Sequence, residues 1–258
     1  MELLELLLKN ENVKFDKNII DHIKKLHVEH DLDISEFLKL FYIYKKIKVD
    51  EKDVTGYTEL QATCYQGNLE VVKKFLLQEN TNINIRNKDG LTLLHAAVSK
   101  YHFEVVNLLL SNQNIKINEQ DNNGYTALHY ATSLRNLQVV ELLLENGADV
   151  NIVGKNDTMA LHTATLLGYL KIAKRLIEEG AKIDVKDSLG HTPLYNATDK
   201  DNLGIVKLLL EKGADMNIRN ENGLTPLHAA NANGNSEIFN MFLSHAKNNT
   251  KKPNGPRR

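Results

Sequence analysis

The eight residues "GLTPLHAA" that start at Gly223 return five more times along the chain. The copies are "GYTELQAT" from Gly56, "GLTLLHAA" from Gly90, "GYTALHYA" from Gly124, "DTMALHTA" from Asp157 and "GHTPLYNA" from Gly190. Successive starts lie 34, 34, 33, 33 and 33 residues apart. A period of this length constrains the chain more than any single motif, because it means one supersecondary unit repeated in phase. Within each unit a turn leads to a short helix with small residues such as Ala96, Ala97, Ala229 and Ala230. A second apolar segment of helical pattern follows, "VVNLLL", "VVELLL" or "IVKLLL", and the stop at Gly147 or Gly213 reads as a helix C-terminus. One such hairpin of helices cannot bury its apolar face alone. The units must therefore stack and share a continuous core.

The repeat also tests its own residues. His129 has Gln61, His95, His162, Tyr195 and His228 at the equivalent positions. A catalytic or metal-ligating histidine does not survive as glutamine and tyrosine, whereas a helix-capping residue does. Thr126 and His129 have the spacing of a capping box, and Thr58 with Gln61 matches its S/T-x-x-E/Q form directly. The fourth copy departs twice, with Asp157 in place of glycine and Met159 in place of the capping threonine. Its turn is expected to change or strain, which makes it the weak joint of the array.

Thr225 to Ala230 reads T-P-L-H-x-A, and "EKGADMNIR" and "ENGADVNI" close the units upstream. These motifs resemble the ankyrin repeat family over roughly residues 53 to 247. The resemblance implies an all-α solenoid of helix–loop–helix units with β-turn or loop fingers and a concave binding face. The repeats fall at 53–86, 87–120, 121–153, 154–186, 187–219 and 220–247. Residues 1–52 lack the signature but are helical in pattern. They are expected to cap the first repeat, with a separate small module as the alternative. Residues 248–258 form the expected basic, disordered tail, a hydrophilic stretch for which nuclear import or bacterial translocation are low-specificity address readings.

Composition removes other classes. With 32 Lys+Arg against 33 Asp+Glu the net charge is −1, so nucleic acid is not an expected partner. The single cysteine, Cys64, excludes an internal disulfide framework and a cysteine-based zinc site. No apolar run approaches the ~20 residues that span a bilayer, so no membrane association is expected. The N-terminus carries Glu2 and Glu5 without a basic segment and does not read as a signal peptide. His22, His27, Glu29 and His30 lie close together, but "HVEH" is one residue short of the H-E-x-x-H arrangement, and no metal or cofactor is expected.

What remains is a binding surface. The resemblance places partner contacts on finger tips and first helices, at positions that vary between repeats. In the first repeat these are Tyr57 and Tyr65, and in the second Lys88, Leu91, Ser99 and Lys100. The third offers Asn122, Tyr125, Ser133 and Leu134, and the fourth Lys155, Asn156, Leu166 and Leu167. The fifth offers Leu189, His191, Asp199 and Lys200. Tyr125, Leu134, Leu166, Leu167 and Leu189 are expected to form one apolar patch rimmed by Lys155, His191 and Lys200. The resulting expectation is a non-enzymatic, monomeric, cytoplasmic protein that binds another protein. The resemblance, with a composition rich in lysine, asparagine and isoleucine, suggests a host-directed effector of an intracellular bacterium. The alternative is a targeting adaptor whose N-terminal helices carry a separate activity.

Overall fold

The computed structural model describes residues 58–78 and 81–250. Among these residues the regular structure is twelve α-helices and one 3₁₀ turn. The chain divides into two compact units, residues 1–116 and 117–258.

In the first unit α1 (Glu59–Gln66) and α2 (Leu69–Leu76) form one hairpin, and α3 (Leu93–Ser99) and α4 (Phe103–Leu110) form the next. The first helices α1 and α3 pack on each other, and so do the second helices α2 and α4. The second unit holds four further hairpins: α5 (Ala127–Ser133) with α6 (Leu137–Glu145), α7 (Ala160–Leu166) with α8 (Leu170–Glu178), α9 (Pro193–Asp199) with α10 (Leu203–Glu211), and α11 (Pro226–Ala232) with α12 (Ser236–Thr250). Within it the first helices stack in the order α5, α7, α9, α11 and the second helices in the order α6, α8, α10, α12. This is the all-α solenoid that the period requires.

The sequence pattern accounts for both rows. In the first helices Ala127 and Ala131, Ala160 and Ala164, and Ala229 and Ala230 are buried, so neighbouring backbones approach closely. In the second helices Val139, Val140, Leu143 and Leu144 are buried together, as are Ile205, Val206, Leu209 and Leu210. Each buried leucine or isoleucine contributes ~1.5–3 kcal/mol. The second helices stop where the glycine was expected to stop them. Gly147 (φ +87°) donates to Leu144 O and Ala148 to Leu143 O, and the same pair of bonds recurs at Gly180 and Gly213. Those are the two bonds of a Schellman termination, which satisfies carbonyls the helix leaves open. In α12 the equivalent residue is Ala246, and the helix runs on to Thr250, three residues into the segment expected as tail.

Candidate functional site

The helix starts decide the role of the histidines. The amides of Thr92, Thr126, Met159 and Thr225 donate to Nδ1 of His95, His129, His162 and His228 at 3.2, 3.2, 3.1 and 3.1 Å. In the first repeat the Thr58 amide donates to Gln61 Oε1 at 3.0 Å, and the Gln61 amide to Thr58 Oγ1 at 3.3 Å. These histidines are caps, as the phase argument requires, and Met159 keeps the half of the box that needs no hydroxyl.

The rings have a second role that their spacing in the sequence does not show. With Nδ1 accepting, the neutral imidazole carries its proton on Nε2. His129 Nε2 donates to Thr158 O in the following repeat at 3.3 Å, and His162 Nε2 to Val185 O at 3.0 Å, where the chain leaves its own repeat for the next finger. Gln61 reaches Leu91 O at 2.8 Å in the same way, and the Tyr195 hydroxyl lies near the Asn220 side chain of the following finger. Burial lowers the pKa of His162 from its ordinary value, against the opposing hydrogen bond to Val185 and the charge of Asp187. His228, in the last repeat, is exposed and meets no following finger among the described residues. The position that varies among His, Gln and Tyr is held to side chains with a donor at the far end.

Fingers carry the rest of the frame. Asn87, Asp121, Asp187 and Asn220 each accept two backbone N–H groups, from the residues two and four positions on. Successive fingers in the second unit are joined by Ser188 N to Asn156 O at 2.9 Å and Glu221 N to Leu189 O at 3.2 Å. In the fourth finger the bracing position is Gly154, so the side-chain brace is missing.

The predicted contact residues separate on this frame. Tyr57 lies outside the described residues. In the first unit Tyr65 and Lys100 are exposed and together, the Lys100 ammonium 4.7 Å from the Tyr65 ring centre. A hydrogen bond to Tyr65 and the charge of that phenol raise the Lys100 pKa. Lys88 is exposed and Ser99 half-buried, while Leu91 is half-buried with its carbonyl taken by Gln61. In the second unit Leu166, Leu167 and Leu189 are 41, 47 and 59% exposed. Asn122, Ser133, Lys155 and Asn156 are exposed, and Leu134 is half-buried. Lys200 is exposed and paired with Asp199 at 3.0 Å, and His191 stacks on Tyr195 at 4.3 Å between ring centres.

Tyr125 is half-buried rather than projecting, and the reason lies in the next repeat. A Cβ on Gly154 would fall 2.5 Å from Tyr125 Cδ1, so the tyrosine ring occupies the space that a side chain at 154 would need. Its ring centre is 5.5 Å from that of His129. Tyr125, His129, Tyr130, Asn123, Ser133 and Thr163 line a groove of about 370 Å³. Tyr130 and Thr163 were not among the expected contacts. The signal was in the sequence, since the position of Tyr130 reads Ala62, Ala96, Thr163, Asn196 and Ala229 elsewhere.

Helical hairpins of one period, stacked first helix on first helix and second on second, define a repeat solenoid. Among the described residues no group of three or more His, Cys, Asp or Glu is arranged to hold a metal ion. None of the described helices is long and apolar enough to cross a membrane. A family model described as "Ankyrin repeats (3 copies)" matches residues 2–121, 60–154, 116–187 and 161–253. The chain belongs to the ankyrin repeat family. A crystal structure of an ankyrin repeat domain from Acinetobacter baumannii AYE is similar to it, with a TM-score of 0.68 and 28% identity over 72% of this chain and 97% of that one. No curated protein matches the chain. Ankyrin repeats are generally protein–protein interaction modules and typically not enzymes.

Proposed function

We propose that the protein binds a partner protein through the concave face and finger loops of its repeats, without catalysing a reaction. The observation that carries this reading is the pair Leu166 and Leu167. Both are apolar, both are exposed, and they stand at positions where the next repeat has Asp199 and Lys200. A frame that needs neither leucine carries them at the C-terminal end of a first helix, α7. Affinity then comes from a few anchors on a rigid, preorganised surface. The chain acts as a cytoplasmic monomer, and as a host-directed effector of an intracellular bacterium. Its AT-rich-type composition and the bacterial origin of the similar domain support that placement.

Residues 1–52 serve as a cap on the array. The family match begins at residue 2, which supports grouping this segment with the array rather than with a separate active module. Removing residues 1–52 should cost stability and leave no distinct activity behind.

The test of the binding face is capture from host-cell lysate with the whole protein and with the Leu166→Ala/Leu167→Ala variant. The captured protein should be lost with the variant while the denaturation midpoint stays within experimental error, since partly exposed leucines contribute little to the core. Equal capture by both proteins would remove the proposal.

A further inference from the structure

We propose that the hairpin tip of the fourth repeat is a receptor for an acidic segment of the partner polypeptide that carries bulky apolar side chains. The inference rests on the reading of Leu166 and Leu167 as partner contacts and names the chemistry they select. The tip runs from Leu166, the last residue of α7, to Leu170, the first of α8, and lies wholly in the second unit.

Leu166, Leu167 and Leu170 are 41, 47 and 44% exposed. Leu170 is the informative one. Its position holds Leu69, Phe103, Leu137 and Leu203 in other repeats, and each of those is half-buried. The difference arises in α10, where Gly204 stands at a position that reads Glu70, Glu104, Gln138 and Lys171 in the repeats before it. A Cβ on Gly204 would meet only Leu170 within 4 Å, with Leu170 Cδ2 at 3.3 Å. Leu170 therefore borders open space that a longer side chain would cover. Glycine is unfavourable inside a helix, and Gly204 is not among the glycines with positive φ, so the backbone does not call for it. Its effect is to leave the leucine bare. The tip is also held in place, because Asn202 Nδ2 donates to Thr165 O at 2.9 Å and ties the fifth turn to α7.

Charge selects the occupant. Arg135, from the turn of the third repeat, sets its guanidinium 5.4 Å from the centre of the Tyr169 ring, and Lys171 follows Leu170 directly. Both cations are exposed, and neither forms an ion pair among the described residues. The acids of the neighbouring turn are engaged elsewhere. Asp199 pairs with Lys200 at 3.0 Å, and Asp201 accepts from Asn235 of the sixth repeat at 3.0 Å. Exposed leucines beside two cations without acidic partners suit an apolar anchor flanked by carboxylates.

The repeats supply the control substitutions. Gly204→Gln copies Gln138 and should cover Leu170 while holding or raising the denaturation midpoint. Arg135→Gly copies Gly67 and Gly168, and Lys171→Gln copies Gln138, so together they remove both charges within the frame. The experiment is an NMR titration of the full chain with three synthetic peptides: acetyl-Glu-Glu-Phe-Leu-Glu-Glu-amide, its counterpart with Lys for Glu, and its counterpart with Ser for Phe and Leu. The first should bind saturably with a Kd on the order of millimolar, with shifts centred on Leu166, Leu167, Leu170 and Gly204. The lysine and serine peptides should give no saturable shift there. Gly204→Gln and the Arg135→Gly/Lys171→Gln pair should each raise the Kd about tenfold. Equal binding of the lysine peptide, or an unchanged Kd in Gly204→Gln, would overturn the assignment. Because the probes are peptides of known sequence, that result is independent of whether a protein is captured through Leu166 and Leu167.

Discussion

Fingers four and five have the same length and stand next to each other, yet they are built from different chemistry. In finger five the Asp187 carboxylate holds the amides of Leu189 and His191, and Gly190 takes φ +74°. Finger four has Gly154 where the carboxylate stands and Asp157 where the glycine stands. It turns through a 3₁₀ segment, Lys155–Asp157, with Asn156 and Asp157 at φ 59° and 56°. Thr158 Oγ1 closes that turn on Lys155 O at 2.8 Å. Gln120 Nε2 ties Gly124 O and Val153 O together at 2.7 and 2.9 Å. Both fingers end with one backbone bond onto the next. A finger's path is thus fixed by its neighbours, and the local turn chemistry can be exchanged when those contacts survive. In finger four the exchange left space at 154, which the Tyr125 ring fills.

The largest effect that separates the two fingers is expected from Gly190→Ala. The new Cβ would sit 2.7 Å from the backbone nitrogen of Glu221, which cannot swing away. Adding the left-handed penalty of ~1–2 kcal/mol to an overpacking cost of ~1–3 kcal/mol gives a loss of roughly 3 kcal/mol. Equilibrium urea denaturation measures it, and a loss under about 1 kcal/mol would mean that finger five yields as finger four has done.

Gly154→Ala probes the other finger. Here the clash is with a side chain, Tyr125, so the cost should be about 1–3 kcal/mol in the native background. Most of it should disappear with Tyr125→Leu, since leucine occupies that position at Leu91 and Leu224. A double-mutant cycle checks the pair: a coupling near zero would show that Tyr125 and Gly154 are independent.

The joint between these fingers also titrates. His162 must be neutral to accept the Met159 amide at Nδ1, and burial lowers its pKa below the ordinary 6.5. The unfolded chain therefore takes up the proton first as the pH falls. Its contribution is complete above about pH 6.5 and is lost as the pH falls through the lower, folded-state pKa. His162→Gln, which copies the residue the first repeat has at Gln61, should cost no more than a capping contact, ~1 kcal/mol, at neutral pH. It should also flatten part of the acid slope of the denaturation midpoint. Identical slopes for the two proteins would assign that slope to other groups.

Much of this was legible in the sequence because a repeat is its own alignment. The period gave the stacking, the Gln61 and Tyr195 substitutions gave the cap, and Gly147 and Gly213 marked the helix stops. What the sequence hid were relations between one unit and the next. The donor common to His, Gln and Tyr is visible only when its acceptor in the following repeat is in place. In sequence Tyr125 is a position that varies between repeats, and the space its ring fills belongs to Gly154, nearly one full period away. Tyr130 is masked for the opposite reason: it follows a capping histidine whose chemistry dominates the motif, while its own variability across the repeats is the stronger signal.

The smallest effect decides whether finger four is a defect or a design. Asp157 sits at φ 56°, where four of the other copies have glycine in the same conformation, and its exposed side chain makes no hydrogen bond among the described residues. Asp157→Gly removes the left-handed penalty, ~1 kcal/mol for a residue type that tolerates the region fairly well. It also returns some entropy to the unfolded chain, which offsets part of the gain. The net result should be stabilisation by roughly 0.5 kcal/mol, read from equilibrium urea denaturation. The opposite sign would show that finger four depends on aspartate, and that its turn, unlike that of finger five, is held by the side chain that replaced the glycine.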